Sequence, residues 1–161
     1  MSAFRVVTSA DHLRVRGPDR PTIGPVWLVL GGRPFPQRGW NDFVIVVLEA
    51  MGSAMIHLLD RATEVQSFAF MEGPFHVSLQ RAADQVRVVA FEHSVDSRRA
   101  QIQLPRATCS VPLGTLAAEY LEAASGVLEA ALKAGDQSFD CRRLAIVISR
   151  LRRGLERPSR R

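Results

Sequence analysis

FHVSLQRAADQVRVVAFEHSVDSRRAQIQL, residues 75–104, decides the fold class. In its first part Phe75, Val77 and Leu79 alternate with His76, Ser78 and Gln80. That period of two places successive side chains on opposite faces of a strand. Ala82 to Gln85 makes a turn, after which Val86, Val88 and Ala90 alternate with Arg87, Val89 and Phe91 as far as His93. Asp96-Ser97-Arg98 turns the chain again, and Ala100, Ile102 and Leu104 alternate with Gln101 and Gln103. A strand around Phe68 and Phe70 precedes them and enters through a turn at Glu72-Gly73-Pro74. Together these segments predict a four-stranded antiparallel meander with one packed face.

Upstream, Phe43 to Leu59 is an apolar stretch in which Phe43, Val44, Val47, Leu48, Met51, Met55, Leu58 and Leu59 keep helical spacing. Phe43 to Leu48 is β-branched enough to be a strand, but the length of the run favours a helix. Ile45, Val46 and Ile56 make its other faces apolar, so this helix is expected to be covered on more than one side. Asn41 can cap it and Trp40 can fold back against Ile45. Further upstream, Arg5 to Thr8, Leu13 to Arg16 and Pro25 to Leu30 read as short strands, and Gly31 to Gly39 reads as a loop.

Downstream, Leu116, Tyr120, Leu121, Ala124, Val127, Leu128 and Ala131 form an apolar helical stripe, with Glu119, Glu122 and Glu129 away from it and Gly135 placed to end it. A last helix, capped by Ser138 or Asp140, carries Leu144, Val147, Ile148, Leu151 and Leu155 inward and Arg142, Arg143, Arg150 and Arg153 outward. The expected architecture is α+β, an antiparallel β-meander packed by about three helices. Residues 1–157 form one domain in this scheme and 158–161 a frayed basic tail.

Composition agrees with a packed core: 47% of the 161 residues are hydrophobic and 23% charged, and a chain of this size buries about 70% of its unfolded surface. The net charge of +5 is unevenly placed. From Asp140 onward eight arginines face two acidic residues, which leaves residues 1–139 nearly neutral. The N-terminus lacks a secretory pattern and Phe43–Leu59 is too short and interrupted to span a bilayer, so a cytoplasmic protein without a membrane partner is expected. Cys109 and Cys141 form no C-x-x-C pair and are expected to be reduced.

The search for chemistry returns no phosphate-binding glycine motif, nucleophile elbow, zinc motif or calcium loop, and hence no catalytic residue, cofactor or metal is expected. His12, His57, His76 and His93 fall on four separate elements, none with a second ligand at a chelating interval. One enzymatic alternative would bring Glu72, His76, His93 and Cys109 into a single pocket. The arginines Arg142, Arg143, Arg150, Arg152 and Arg153 could meet nucleic-acid phosphates, although the segment lacks aromatics for base stacking. A second-face surface made of Gln66, His76, Ser78, Gln80, Arg87, Val89, Phe91, Gln101 and Gln103 would have the mixed polar and apolar character of a protein interface if nothing covers it.

The order of these segments is also informative. Pro36 through Gly39-Trp40-Asn41-Asp42-Phe43 leads into an apolar helix, Phe68-Ala69-Phe70-Met71-Glu72-Gly73-Pro74-Phe75 opens a meander, and Leu116 to Leu128 closes it. This ordering, over residues 35–130, resembles small bacterial immunity proteins of polymorphic toxin systems. The resemblance implies a non-enzymatic protein of bacterial competition that binds a cognate toxin domain and occludes its active site. Glu72, His76, Arg87, Phe91, Glu119 and Glu122 are the expected partner-binding residues. The basic overall charge disfavours wholesale mimicry of a nucleic-acid substrate.

Overall fold

Alternation and helical periodicity both carry through to the structure, a computed structural model that describes residues 3–96 and 98–156. The order of elements is β1 (Phe4–Thr8), β2 (Gly24–Leu30), β3 (Arg33–Phe35), β4 (Asn41–Asp42), α1 (Val44–Leu59), β5 (Val65–Ala69), β6 (Phe75–Ala82), β7 (Gln85–Val95), β8 (Gln101–Pro112), α2 (Leu113–Lys133) and α3 (Phe139–Glu156). This is the α+β class, with β5 to β8 forming the predicted antiparallel meander in sequence order. The expected tail at 158–161 lies outside the described residues.

β8 is longer than the alternation of Ala100 to Leu104 suggested. Proline removes a backbone donor and is tolerated in a sheet chiefly at edges and bulges. Pro105 meets both conditions: β8 is an edge strand, and the register slips there, Ala90 pairing with Ala107 but Phe91 with Pro105. Arg106 is the extra residue, and its guanidinium reaches Glu92 across the strand pair at 2.6 Å. The strand therefore continues through the proline to Pro112.

In the opening third the structure corrects the expected elements. Leu13 to Arg16 supplies only one bridge, Arg14 to Ile23, since Gly17-Pro18 interrupts any longer pairing. Within the expected loop, Gly31 and Gly32 take positive φ values of 55° and 84° and reverse the chain so that Arg33–Phe35 pairs with β2 as β3. β1 and β3 flank β2 in a first, separate sheet, and β4 also pairs with β2.

Asn41 does not cap α1, because it is engaged in β4 opposite Pro25. The neighbouring Asp42 is buried instead. Its Oδ1 accepts the Phe43 N–H at 2.7 Å, while Oδ2 accepts Trp40 Nε1 and the Glu72 N–H, each at 3.1 Å. Trp40 stands edge-on to Phe75, with ring centroids 5.2 Å apart.

α1 is the interior helix, as its all-round apolarity predicted. It touches α3, α2, β5 and β2, and a continuous cluster of buried side chains joins it to both sheets. Gly52 makes the closest of these approaches possible. A Cβ at this position would overlap both Tyr120 Oη and Val147 Cγ1. Tyr120 is fully buried and donates its hydroxyl to Leu48 O at 2.9 Å, and burial raises its pKa far above the ordinary value. Leu155, expected inside, is 38% exposed because the last turn of α3 runs past the core. No helix among the described residues is long and apolar enough to cross a membrane.

A second polar anchor joins distant parts of the chain. Thr22 donates its hydroxyl to Asp136 Oδ2 at 2.5 Å, and Asp136 Oδ1 accepts the Ser138 N–H at 2.9 Å. Ser138 Oγ in turn accepts the Cys141 N–H at 3.3 Å, capping α3 as one of the two residues expected to do so. Burial alone would push the Asp136 carboxyl up. Hydrogen bonds from Thr22, Ser138 and Cys141 outweigh burial and hold its pKa below the ordinary carboxylate value.

Alanine is a better helix former than glycine by about 1 kcal/mol, so Gly52→Ala would stabilise an unencumbered helix. Here the methyl group meets a hydrogen-bonded tyrosine, and overpacking of this kind costs about 1–3 kcal/mol. Chemical denaturation is expected to show net destabilisation by Gly52→Ala. A stabilised variant would mean that Tyr120 and Val147 yield freely.

Candidate protein-binding face

The meander has one dry face and one bare face. Val77, Leu79, Val86, Val88 and Ala90 are buried beneath the helices. The opposite face is left uncovered by the first sheet and by all three helices. Register assigns it Val65, Ser67 and Ala69 from β5, His76, Ser78 and Gln80 from β6, Arg87, Val89, Phe91 and His93 from β7, and Gln101 and Gln103 from β8, although Val89, expected on this surface, is itself buried. These residues form a shallow concavity of about 700 Å³ centred on His76, Ser78, Phe91 and His93. Gln66 belongs to the other side, because β5 pairs it with Leu79; the expected interface loses that residue and gains Val65 and Ser67.

At the centre three rings lie in a row. The His76 ring stacks on Phe91 at 4.9 Å with an interplanar angle of 11°, and on His93 at 4.2 Å and 25°. The two-residue turn at Ala83-Asp84 sets this register by placing His76 directly opposite Phe91. Packed between its neighbours, His76 has a buried Nδ1 with no hydrogen-bond partner among the described residues. An unpaired buried nitrogen costs about 1–3 kcal/mol. Burial first, and then the proximity of His93, lowers the pKa of His76, so the ring is held neutral. The centre of the face is therefore aromatic, with a neutral His76 in its middle and Arg87 toward one end.

The other expected site residues lie elsewhere. Glu72 is exposed in the β5–β6 turn, where Asp42 holds its main-chain N–H. Glu119 and Glu122 project from α2 beside β1, away from the bare face. Cys109 pairs with Val88 on the packed side of the sheet, opposite in sense to His76, and burial raises its thiol pKa despite a hydrogen bond from Gly31. The enzymatic combination of Glu72, His76, His93 and Cys109 consequently does not assemble; only the two histidines meet. Both cysteines are free thiols.

No family model, curated sequence or solved structure matches this chain. Function has to be read from the residues themselves.

The arginine helix is partly committed to internal contacts. Arg143 Nη2 reaches Glu49 at 2.7 Å, Arg142 Nη1 donates to Gln137 O at 2.9 Å, and Arg152 Nη2 donates to Ser125 Oγ at 2.8 Å. All five arginines remain exposed. This ion pair joins an exposed Arg143 to a Glu49 whose side chain is largely buried, and so draws the guanidinium toward the protein.

His76 also gives a pH signature. Its folded pKa lies below the ordinary value of 6.5, so the unfolded chain takes up the proton first as pH falls. The stability tied to neutral His76 is complete above the unfolded pKa and is lost as pH drops from there through the folded pKa. Urea unfolding at neutral pH and at mildly acidic pH is expected to show a larger acid loss for the wild type than for His76→Asn. Equal losses would assign the effect to other groups.

Proposed function

We propose that this chain is a stoichiometric protein-binding domain that engages its partner on the bare face of β5 to β8, and that it acts as an immunity protein by occluding the active site of a cognate toxin domain. The observation that carries the binding reading is the Phe91–His76–His93 stack at the centre of an uncovered sheet. A rigid aromatic cluster with neutral serine and glutamine around it suits a desolvated interface centre, where a few aromatic anchors supply most of the affinity. The strand backbone also loses little freedom on binding, since the ladder already fixes it. The toxin as partner is supported by the resemblance of residues 35–130 to immunity proteins.

A nucleic-acid-associated role for Arg142, Arg143, Arg150, Arg152 and Arg153 is the second reading. The exposure of all five favours it, while the internal contacts of three of them weaken it. Its signature would be binding that falls steeply with salt.

Co-expression with the product of the adjacent reading frame, followed by size-exclusion chromatography and a toxicity-rescue assay, tests the first reading. The expected result is a one-to-one complex and protection of the host cell. Phe91→Ala is expected to weaken that complex by about 2 kcal/mol, roughly thirtyfold in Kd, with the monomer still folded by circular dichroism. A complex that forms with undiminished affinity in Phe91→Ala would move the interface off this face. Absence of any complex or protection would remove the immunity reading.

A further inference from the structure

β1 is an edge strand, and beside Val6 and Thr8 its outer side opens onto a groove. Two hydrogen bonds fix which of its backbone groups point there. Gly31 N–H donates to Ala3 O at 2.8 Å, continuing the β1–β2 ladder, and Val26 N–H donates to Trp40 O at 2.8 Å, on the side of β2 away from β1. The pairs Arg5–Val29 and Val7–Trp27 are thus the hydrogen-bonded ones, and Thr8–Val26 and Val6–Leu28 are not. Val6 and Thr8 direct their N–H and C=O groups outward, each a donor and an acceptor at the edge.

The groove beside this edge has a volume of about 400 Å³, and α2 forms its far wall through Glu119, Glu122, Ala123 and Gly126. Those positions follow i, i+3, i+4, i+7 spacing and share one helix face. Gly126 leaves open space where a side chain would stand, so the wall is recessed. Glu119 and Glu122 form no ion pair among the described residues. Arg5 also lines the groove, so two carboxylates face one guanidinium there and the balance of charge is acidic.

The geometry points to strand addition at β1 by an extended basic segment of a partner protein, its backbone pairing with Val6 and Thr8 and its lysine or arginine side chains meeting Glu119 and Glu122. Backbone pairing gives such a site affinity, and the pocket wall gives it preference among sequences. The site is separate from the bare face of the second sheet and does not depend on what that face binds.

The probe is an end-capped heptapeptide of alternating lysine and valine, titrated into the full chain and followed by amide chemical shifts. A peptide of alternating glutamate and valine is the control. Saturable shifts at the Val6 and Thr8 amides with the lysine peptide, and binding weaker by about tenfold or more with the glutamate peptide, are expected. Glu119→Gln with Glu122→Gln should lower affinity for the lysine peptide several-fold. Thr8→Pro removes an outward N–H without touching the β1–β2 ladder, so it should fold and lose binding. Absent shifts at Val6 and Thr8, equal binding of the two peptides, or unchanged binding by both variants would overturn the proposal. Sedimentation that reveals a dimer abolished by Thr8→Pro would also overturn it, by giving the edge to a second copy of the chain.

Discussion

The absence of a side chain at Gly52 sets the spacing on which the interior depends. Because α1 presents bare backbone there, Tyr120 of α2 and Val147 of α3 close onto the same point of the helix. The Tyr120 hydroxyl then satisfies Leu48 O within an otherwise apolar region. With α2 and α3 seated, the three helices occupy one side of the meander. Nothing remains in the described chain to cover the other side, so the character of the exposed sheet is a by-product of how tightly the helices pack.

Legibility in the sequence followed the strength of the periodic signal. The meander and α1, α2 and α3 were readable because alternation and helical spacing persist there for many residues. β3 and β4 were hidden because three and two residues are too short to show a period, and they exist only because β2 offers hydrogen-bond partners. Asp42 was overshadowed by Asn41, and only the register of β4 reveals which of the two side chains turns inward. The alternation from Ala100 stops being legible at Leu104, because the bulge at Arg106 shifts the parity of the residues after it.

Site residues divided in the same way. His76 and Phe91 could be placed on one face by counting through the turn, and they do stack. Gln66 could not, since the length of the Glu72-Gly73-Pro74 connection hides its parity. The edge of β1 was missed because a strand's free side is a property of its neighbours. Glu119 and Glu122 stand off an apolar stripe in the sequence, but α2 alone does not say which strand they lie beside. The two surfaces that emerge differ in kind: one is aromatic at its centre, the other is backbone flanked by carboxylates. Ionic strength acts mainly on the second.

The bare face also bears on how this chain can change over generations. Its strands are held by ladder hydrogen bonds and by side chains that point inward, so outward positions such as Ser67, Ser78, Gln80 and Gln103 contribute little to folding. Substitutions there leave the core intact, and mutational drift can rewrite the surface while the scaffold persists. Arg87 and Val65 share that freedom. His76 is the exception, since its ring is wedged between Phe91 and His93, and replacement alters the shape of the whole row. Variation in descendants of this fold should therefore gather around a quieter aromatic centre.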